Sequence, residues 1–263
     1  MTKPRLNNSC SQPGIIYGPV RSRRLGLSLG INLLPSQYKL CSFNCIYCQY
    51  SRVKKSPLVP ANQLKILPKP DDVGDALEAA LLRMSRAGET ADSITICGNG
   101  EPTLYPNLGE VIDQVKRHRD RYLPQARLAI FSNSSTVGNE TVRDSLQRLD
   151  LRIMKFDAGS EEMFCQLNHA ITPIYMGEIV AGLKELKDTY LESLFLQGRV
   201  NNADPDSVGV WVGKLREIQP LGVQIYTLDR EPPEERIEKV SLSTLQWIAD
   251  QVRWRTGLPA GVV

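Results

Sequence analysis

The sequence predicts an α/β protein, and three observations carry that prediction. Short apolar segments alternate with amphipathic helical ones along most of the chain. The helical segments are long enough to be the crossovers that parallel strands require. The strand segments run out into glycine or polar residues: Gly98, Ser132, Asp157, Gln197 and Asp229. About six strands can be read, too few for an eight-fold barrel. The periodicity suits either a partial (β/α)6 barrel or an open doubly wound sheet. In both, ligands gather beyond the carboxyl ends of the strands.

Residues 1–15 are polar and rich in Asn, Ser and Pro, and are expected to form a loose arm. From Leu25 to Ile31 apolar and small residues alternate, which predicts a strand leading to the cysteines that follow. Arg21, Arg23 and Arg24 just before it suit either solvated charge or an anion-binding surface. Prolines 57, 60, 68 and 70 mark a loop with an extended stretch over 64–67. A helix is expected from Asp71, with Val73, Ala76, Leu77, Ala80, Leu81 and Met84 on one face and Gly88 as its stop.

Strands are then expected at Ser93–Cys97, Ala126–Phe131, Leu151–Phe156, Ser193–Leu196 and Val223–Leu228. Helices are expected at Leu108–Tyr122, Glu140–Leu149, Ser160–Leu167, Gly177–Tyr190, Asp206–Ile218 and Leu242–Trp254. Residues 16–258 read as a single domain and 259–263 as a tail.

The chemistry is concentrated in Cys41-Ser42-Phe43-Asn44-Cys45-Ile46-Tyr47-Cys48. Three thiolates within eight residues share one metal centre or none. An iron–sulfur cube normally takes four cysteines; three give a [4Fe–4S] cluster with one open iron. Structural zinc would want a fourth Cys or His at short spacing, and none follows Cys48 nearby. Disulfides suit a secreted chain, and the start of this sequence has no apolar leader segment. Cys10, Cys97 and Cys165 are scattered, and Cys97 reads as a small buried hydrophobe.

This motif, with Tyr47 as the aromatic before the last cysteine, resembles the signature of the radical S-adenosylmethionine (radical SAM) superfamily. The resemblance implies the partial (β/α)6 barrel, a site-differentiated [4Fe–4S] cluster held by Cys41, Cys45 and Cys48, and SAM chelated to the open iron. Reductive cleavage of SAM to methionine and a 5′-deoxyadenosyl radical would follow, with Tyr47 packed on the adenine. Gly98-Asn99-Gly100-Glu101 resembles the superfamily's Gly-Gly-Glu motif, which holds the amino group of SAM. As residues, the glycines allow close approach, and the carboxylate with exposed carbonyls suits an ammonium.

Two later strand ends complete the expected cofactor site. Ser132 and Asn133 suit ribose hydroxyls. Lys155 and Asp157 suit an anion and a hydroxyl, or pair with each other at the barrel mouth. Gln197, Arg199, Tyr226, Asp229 and Arg230 are candidates for the substrate side. Of the two histidines, His118 is expected to be exposed, and a place facing the mouth is the less favoured reading for His169.

The wider match, from residue 16 to 258, is to a group of short Fe–S oxidoreductases similar to wyosine-base synthases of transfer RNA. A second cluster would need more cysteines upstream than Cys10. That argues against a wyosine role on transfer RNA, and the substrate class is left as an RNA base or a small molecule. Alternatives are a glycyl-radical activating enzyme acting on a partner protein, or a non-catalytic Fe–S electron carrier. A flavodoxin or ferredoxin would supply the electron, drawn by Arg52, Lys54 and Lys55 after the cysteines.

The bulk properties suit that reading. Charge of 23% and apolar content of 41% are ordinary for a globule. A net charge of +3 and 6% aromatics give little support to a zinc-stabilised nucleic-acid module. With no apolar run of spanning length, a cytoplasmic location away from membranes is expected.

Overall fold

The computed structural model describes residues 14–50, 66–230 and 234–263. Cys10, Arg52, Lys54, Lys55 and residues 57–65 of the expected loop lie outside the described residues. Ile66 and Leu67, the end of the expected extended stretch, do not form a strand.

The elements in chain order are β1 (Ile16–Ser22), β2 (Gly26–Ile31), α1 (Pro70–Ala87), β3 (Ser93–Ile96), α2 (Leu108–Tyr122), β4 (Arg127–Ser132), α3 (Glu140–Leu146), β5 (Leu151–Lys155), α4 (Glu161–Asn168), α5 (Met176–Glu185) and β6 (Thr189–Leu194). They continue with β7 (Leu196–Gly198), α6 (Pro205–Ile218), β8 (Gly222–Tyr226), β9 (Ile237–Lys239), α7 (Leu242–Thr256) and β10 (Ala260–Val262). One 8-stranded sheet runs β1-β2-β3-β4-β5-β6-β8-β10. Within it only β1 is antiparallel to its neighbour, and β7 and β9 form a separate two-stranded antiparallel sheet. The fold is the expected α/β class, with β2 to β6 and β8 as the parallel strands of the partial barrel.

Alternation along the strands divides the apolar side chains between the two sheet faces. Leu128 and Ile130 of β4 join the large core under the helices. Ala129 of the same strand joins Leu25 and Ile153 in a small core on the opposite face. Helix ends follow their local chemistry. Pro70 opens α1, where the Lys69 N–H donates to the Asp72 carboxylate at 2.9 Å, and Gly88 closes it in the left-handed conformation. The Ser160 hydroxyl caps α4 by accepting from the Met163 N–H at 3.2 Å.

The expectations fail at four places. The segment Ile16–Ser22 is a strand, although its Gly-Pro and arginines break the apolar pattern; it lies on the sheet edge, where proline is tolerated. The helix expected over Gly177–Tyr190 stops at Glu185, and β6 starts at Thr189, not Ser193. Asp188, at φ 50, breaks the chain between them, and Thr189 and Tyr190 favour a strand. Helix α3 ends at Leu146, short of Leu149. Residues 260–262, expected as a tail, add β10 parallel to β8.

Candidate functional site

Main-chain bonds bind the cysteine loop to the carboxyl ends of the strands. The Leu40 N–H donates to the Asn99 carbonyl at 3.1 Å, and the Glu101 N–H donates to the Leu40 carbonyl at 2.9 Å. On the other side, Asn44 and Ile46 donate to the carbonyls of His169 and Leu167, both at 3.0 Å. Phe43 is buried and meets Phe164 edge to face at 5.4 Å between ring centroids. The loop is thus clamped between the end of β3 and the end of α4.

Gly98-Asn99-Gly100-Glu101 makes the first half of that clamp. At Gly100 φ is 148°, and a Cβ there would stand 1.7 Å from the Leu40 carbonyl oxygen. At Gly98 a Cβ would stand 2.1 Å from the Asn32 amide oxygen. The glycines therefore admit the protein's own neighbouring segments. The Asn99 amide is buried and donates to the Pro35 carbonyl at 3.1 Å.

Glu101 is 1% exposed, and its carboxylate already accepts four bonds. Thr103 donates its N–H at 3.0 Å and its hydroxyl at 2.6 Å, and Ser132 its hydroxyl at 2.8 Å. The Asn133 N–H donates to the other carboxylate oxygen. Burial pushes this carboxyl above the usual range, and the four donors oppose that rise. The carboxylate, expected to receive an ammonium, is thus committed to the fold. The carbonyls of Gly98 and Asn99 accept main-chain bonds from the Gly100 and Leu40 N–H groups.

Ser132 and Asn133 stand where expected but also face inward. The Asn133 amide donates to the Ser42 hydroxyl at 2.9 Å and to the Cys41 sulfur at 3.4 Å. Lys155 and Asp157 pair at 2.7 Å, with the Asp157 side chain fully buried. The Lys155 ammonium also lies 5.0 Å from the Tyr47 ring centroid and 4.6 Å from that of Tyr226. Burial alone would lower its pKa; Asp157, Tyr226 and Glu192 outweigh burial and hold it charged. The Tyr47 hydroxyl donates to Asp157, and Leu194 N–H donates to the same carboxylate at 2.8 Å.

The remaining candidates separate. Arg24 turns into the barrel, pairs with Glu192 at 2.6 Å and lies over the Tyr226 ring at 4.9 Å. Arg23 is exposed and pairs with Asp229 at 3.3 Å, and Arg21 is exposed, so the three arginines do not form one anion-binding surface. Because β6 starts early, Gln197 falls on β7 in the small β7–β9 sheet, and Arg199 follows it and pairs with Glu234. Arg230 is exposed beyond β8. His118 is half-buried rather than exposed. His169 points an exposed ring at the Gln166 carbonyl, while its own carbonyl holds the cysteine loop. Cys97 is half-buried, with its sulfur 2.8 Å from the Tyr17 hydroxyl.

Two residues of the site were not anticipated. The Asn168 amide reaches the Cys45 sulfur at 3.4 Å and the Tyr47 hydroxyl at 3.2 Å. Lys39 is only 6% exposed, and its ammonium donates to the Phe43 carbonyl at 2.7 Å. Burial works to lower the Lys39 pKa, but Cys41, Cys48 and Cys45 raise it further, with a hydrogen bond to Cys48. Nothing local in the sequence marks Asn168. The signal for Lys39 was its place two residues before Cys41.

Cys41 is buried, Cys45 and Cys48 are half-buried, and none is in a disulfide. Burial pushes the Cys41 thiol up to about 12. Among the described residues, no three or more His, Cys, Asp or Glu side chains stand gathered as a finished metal cage. The donor set nevertheless fits an iron–sulfur cluster: three soft ligands on one clamped loop, with N–H donors at the sulfurs and a cation beneath them.

No family model matches the chain. A radical SAM methyltransferase from Sphaerobacter thermophilus superposes with a TM-score of 0.65 at 17% identity, covering 90% of this chain and 65% of that one. SuiB from Streptococcus suis bound to S-adenosylmethionine gives 0.59 at 11%, covering 86% and 51%. The architecture is thus that of the radical SAM enzymes. By sequence, the chain is 30% identical over 234 residues to a UPF0026 protein of Helicobacter pylori, covering 87% of this chain and 70% of the relative. A UPF0026 protein of Methanocaldococcus jannaschii is 29% identical over 234 residues, covering 88% and 68%. The chain belongs to the UPF0026 family.

Proposed function

We propose that this protein is a radical SAM enzyme in which Cys41, Cys45 and Cys48 hold a site-differentiated [4Fe–4S] cluster. With SAM bound at the open iron, that cluster would supply the electron that cleaves SAM to a 5′-deoxyadenosyl radical, which takes hydrogen from a substrate. The observation that carries the reading is the clamping of all three cysteines at the mouth of a barrel shared with SAM-bound radical SAM structures.

The chain's own residues would do the placing. Glu101 fixes Ser132 and Asn133 at the end of β4, and strand-end carbonyls beside it would accept from an ammonium. Asp157 orients Tyr47 and Lys155 as one wall of the mouth. Arg24, Glu192 and Tyr226 line the deeper barrel, where the substrate would lie against paired charges and aromatic faces. An RNA base or a small molecule is the substrate class proposed, in line with the likeness to the wyosine-base synthases. The electron would come from a flavodoxin or ferredoxin type of reductant.

Anaerobic reconstitution, then dithionite and SAM, with 5′-deoxyadenosine assayed by chromatography, tests this reading. Product is expected from the wild type and not from Cys41→Ala, Cys45→Ala or Cys48→Ala. A well-formed cluster that leaves SAM intact would indicate an electron carrier. Stoichiometric zinc without iron would indicate a structural module.

A further inference from the structure

The three sulfurs are each served by a different polar side chain. Asn133 donates to Cys41 and Asn168 to Cys45, both at 3.4 Å. The Lys39 ammonium lies close enough to all three sulfurs to feel them and hydrogen-bonds to Cys48. Lys39 is 6% exposed, and its ammonium donates to the uncharged Phe43 carbonyl at 2.7 Å. Among the described residues no carboxylate pairs with it.

A buried ammonium without a counter-charge is costly, and an apolar residue would serve packing better. The counter-charge available at this position is the thiolate set itself. Cations and N–H donors at cluster sulfurs stabilise the more negative, reduced state, and so raise the reduction potential.

We infer that Lys39, together with Asn168, sets the reduction potential of the cluster, acting as a positioning charge and a positioning donor and not as ligands. This inference rests on the proposed cluster. It adds that the site is tuned so that an outside one-electron donor can reduce it.

The test is a redox titration of the reconstituted full-length chain without SAM. Dithionite is added with mediator dyes, and the cluster is followed by absorbance and electron paramagnetic resonance. Lys39→Met is expected to lower the ratio of reduced to oxidised cluster at least tenfold at a fixed potential, a shift of about 59 mV for one electron. Lys39→Arg is expected to restore most of it. Asn168→Ala is expected to shift the ratio about threefold the same way, through loss of one N–H···S bond, and it decides the matter should Lys39→Met load no iron.

The iron-free protein gives a second readout. Without the cluster, Lys39→Met is expected to resist urea at least as well as the wild type, because it removes a buried unpaired charge. Variants that load iron and keep the wild-type potential would overturn the inference and leave the proposed function standing. Loss of iron-free stability in Lys39→Met would make Lys39 a packing residue, and would also overturn it. A wild type that forms no cluster would overturn both readings.

Discussion

The Gly100 α-carbon and the Leu40 carbonyl oxygen approach so closely that a side chain cannot fit between them: a Cβ would stand at 1.7 Å. This approach joins the end of β3 to the cysteine loop and lets Leu40 form its two main-chain bonds there. Gly100→Ala is therefore expected to displace the loop, at a cost of about 2–3 kcal/mol. In a domain of this size that lowers the melting temperature by roughly 5–10 °C. Iron bound after reconstitution should fall with it, measured per chain against the wild type.

Lys155 and Asp157 should be coupled strongly, because the Asp157 side chain is fully buried. Lys155→Met strands that carboxylate and is expected to cost about 3 kcal/mol in urea unfolding. The double variant with Asp157→Asn should recover part of the loss, with a coupling energy of about 1–3 kcal/mol. Strictly additive single effects would show that the pair is not a unit.

Tyr47→Phe keeps the ring beside Lys155 and removes the hydroxyl shared with Asp157 and Asn168. Stability is expected to drop by about 1–2 kcal/mol, the usual cost of a lost hydrogen bond to a charged group. Iron content should stay near wild type. In the SAM-cleavage assay the KM for SAM is expected to rise more than kcat falls, since the wall of the mouth is loosened while the ligands are untouched.

Asp150 lies away from the site and links pH to stability. It accepts from the Leu128 N–H at 2.8 Å and from Arg119 at 2.6 Å. Burial acts to raise its pKa, but these two donors prevail and hold the carboxyl below the usual aspartate range. Its stabilisation is therefore complete above the unfolded value and is lost as the pH falls through the lower folded one. Its side chain is 41% exposed, so solvent screening limits the effect to about 0.5–1 kcal/mol. Asp150→Asn should cost that much at pH 7 in the iron-free protein, with the difference shrinking as the pH falls below the unfolded aspartate value of about 3.9 and gone below the lower folded one.

The sequence by itself determined the rhythm of strands and helices, because periodicity and caps are local. The boundaries of α2 followed from apolar residues Val111, Ile112 and Val115 on one face, and Leu108–Tyr122 matches throughout. The cysteine loop was legible too, since three thiols in eight residues need no tertiary information. The change from α5 to β6 was not, because Leu186 and Tyr190 continue a helical pattern that Asp188 interrupts. β10 was not, because Ala260–Val262 is a strand only through pairing with β8.

Tertiary structure alone decided how the polar strand-end residues are used. Glu101, Asn99 and Asn133 read as groups awaiting a ligand; the fold spends their side-chain bonds on Thr103, Pro35 and Ser42. Asn168 meets the cysteines only because α4 packs against their loop. A side chain's partner depends on which distant segment the core brings beside it, and burial obliges each such group to find one.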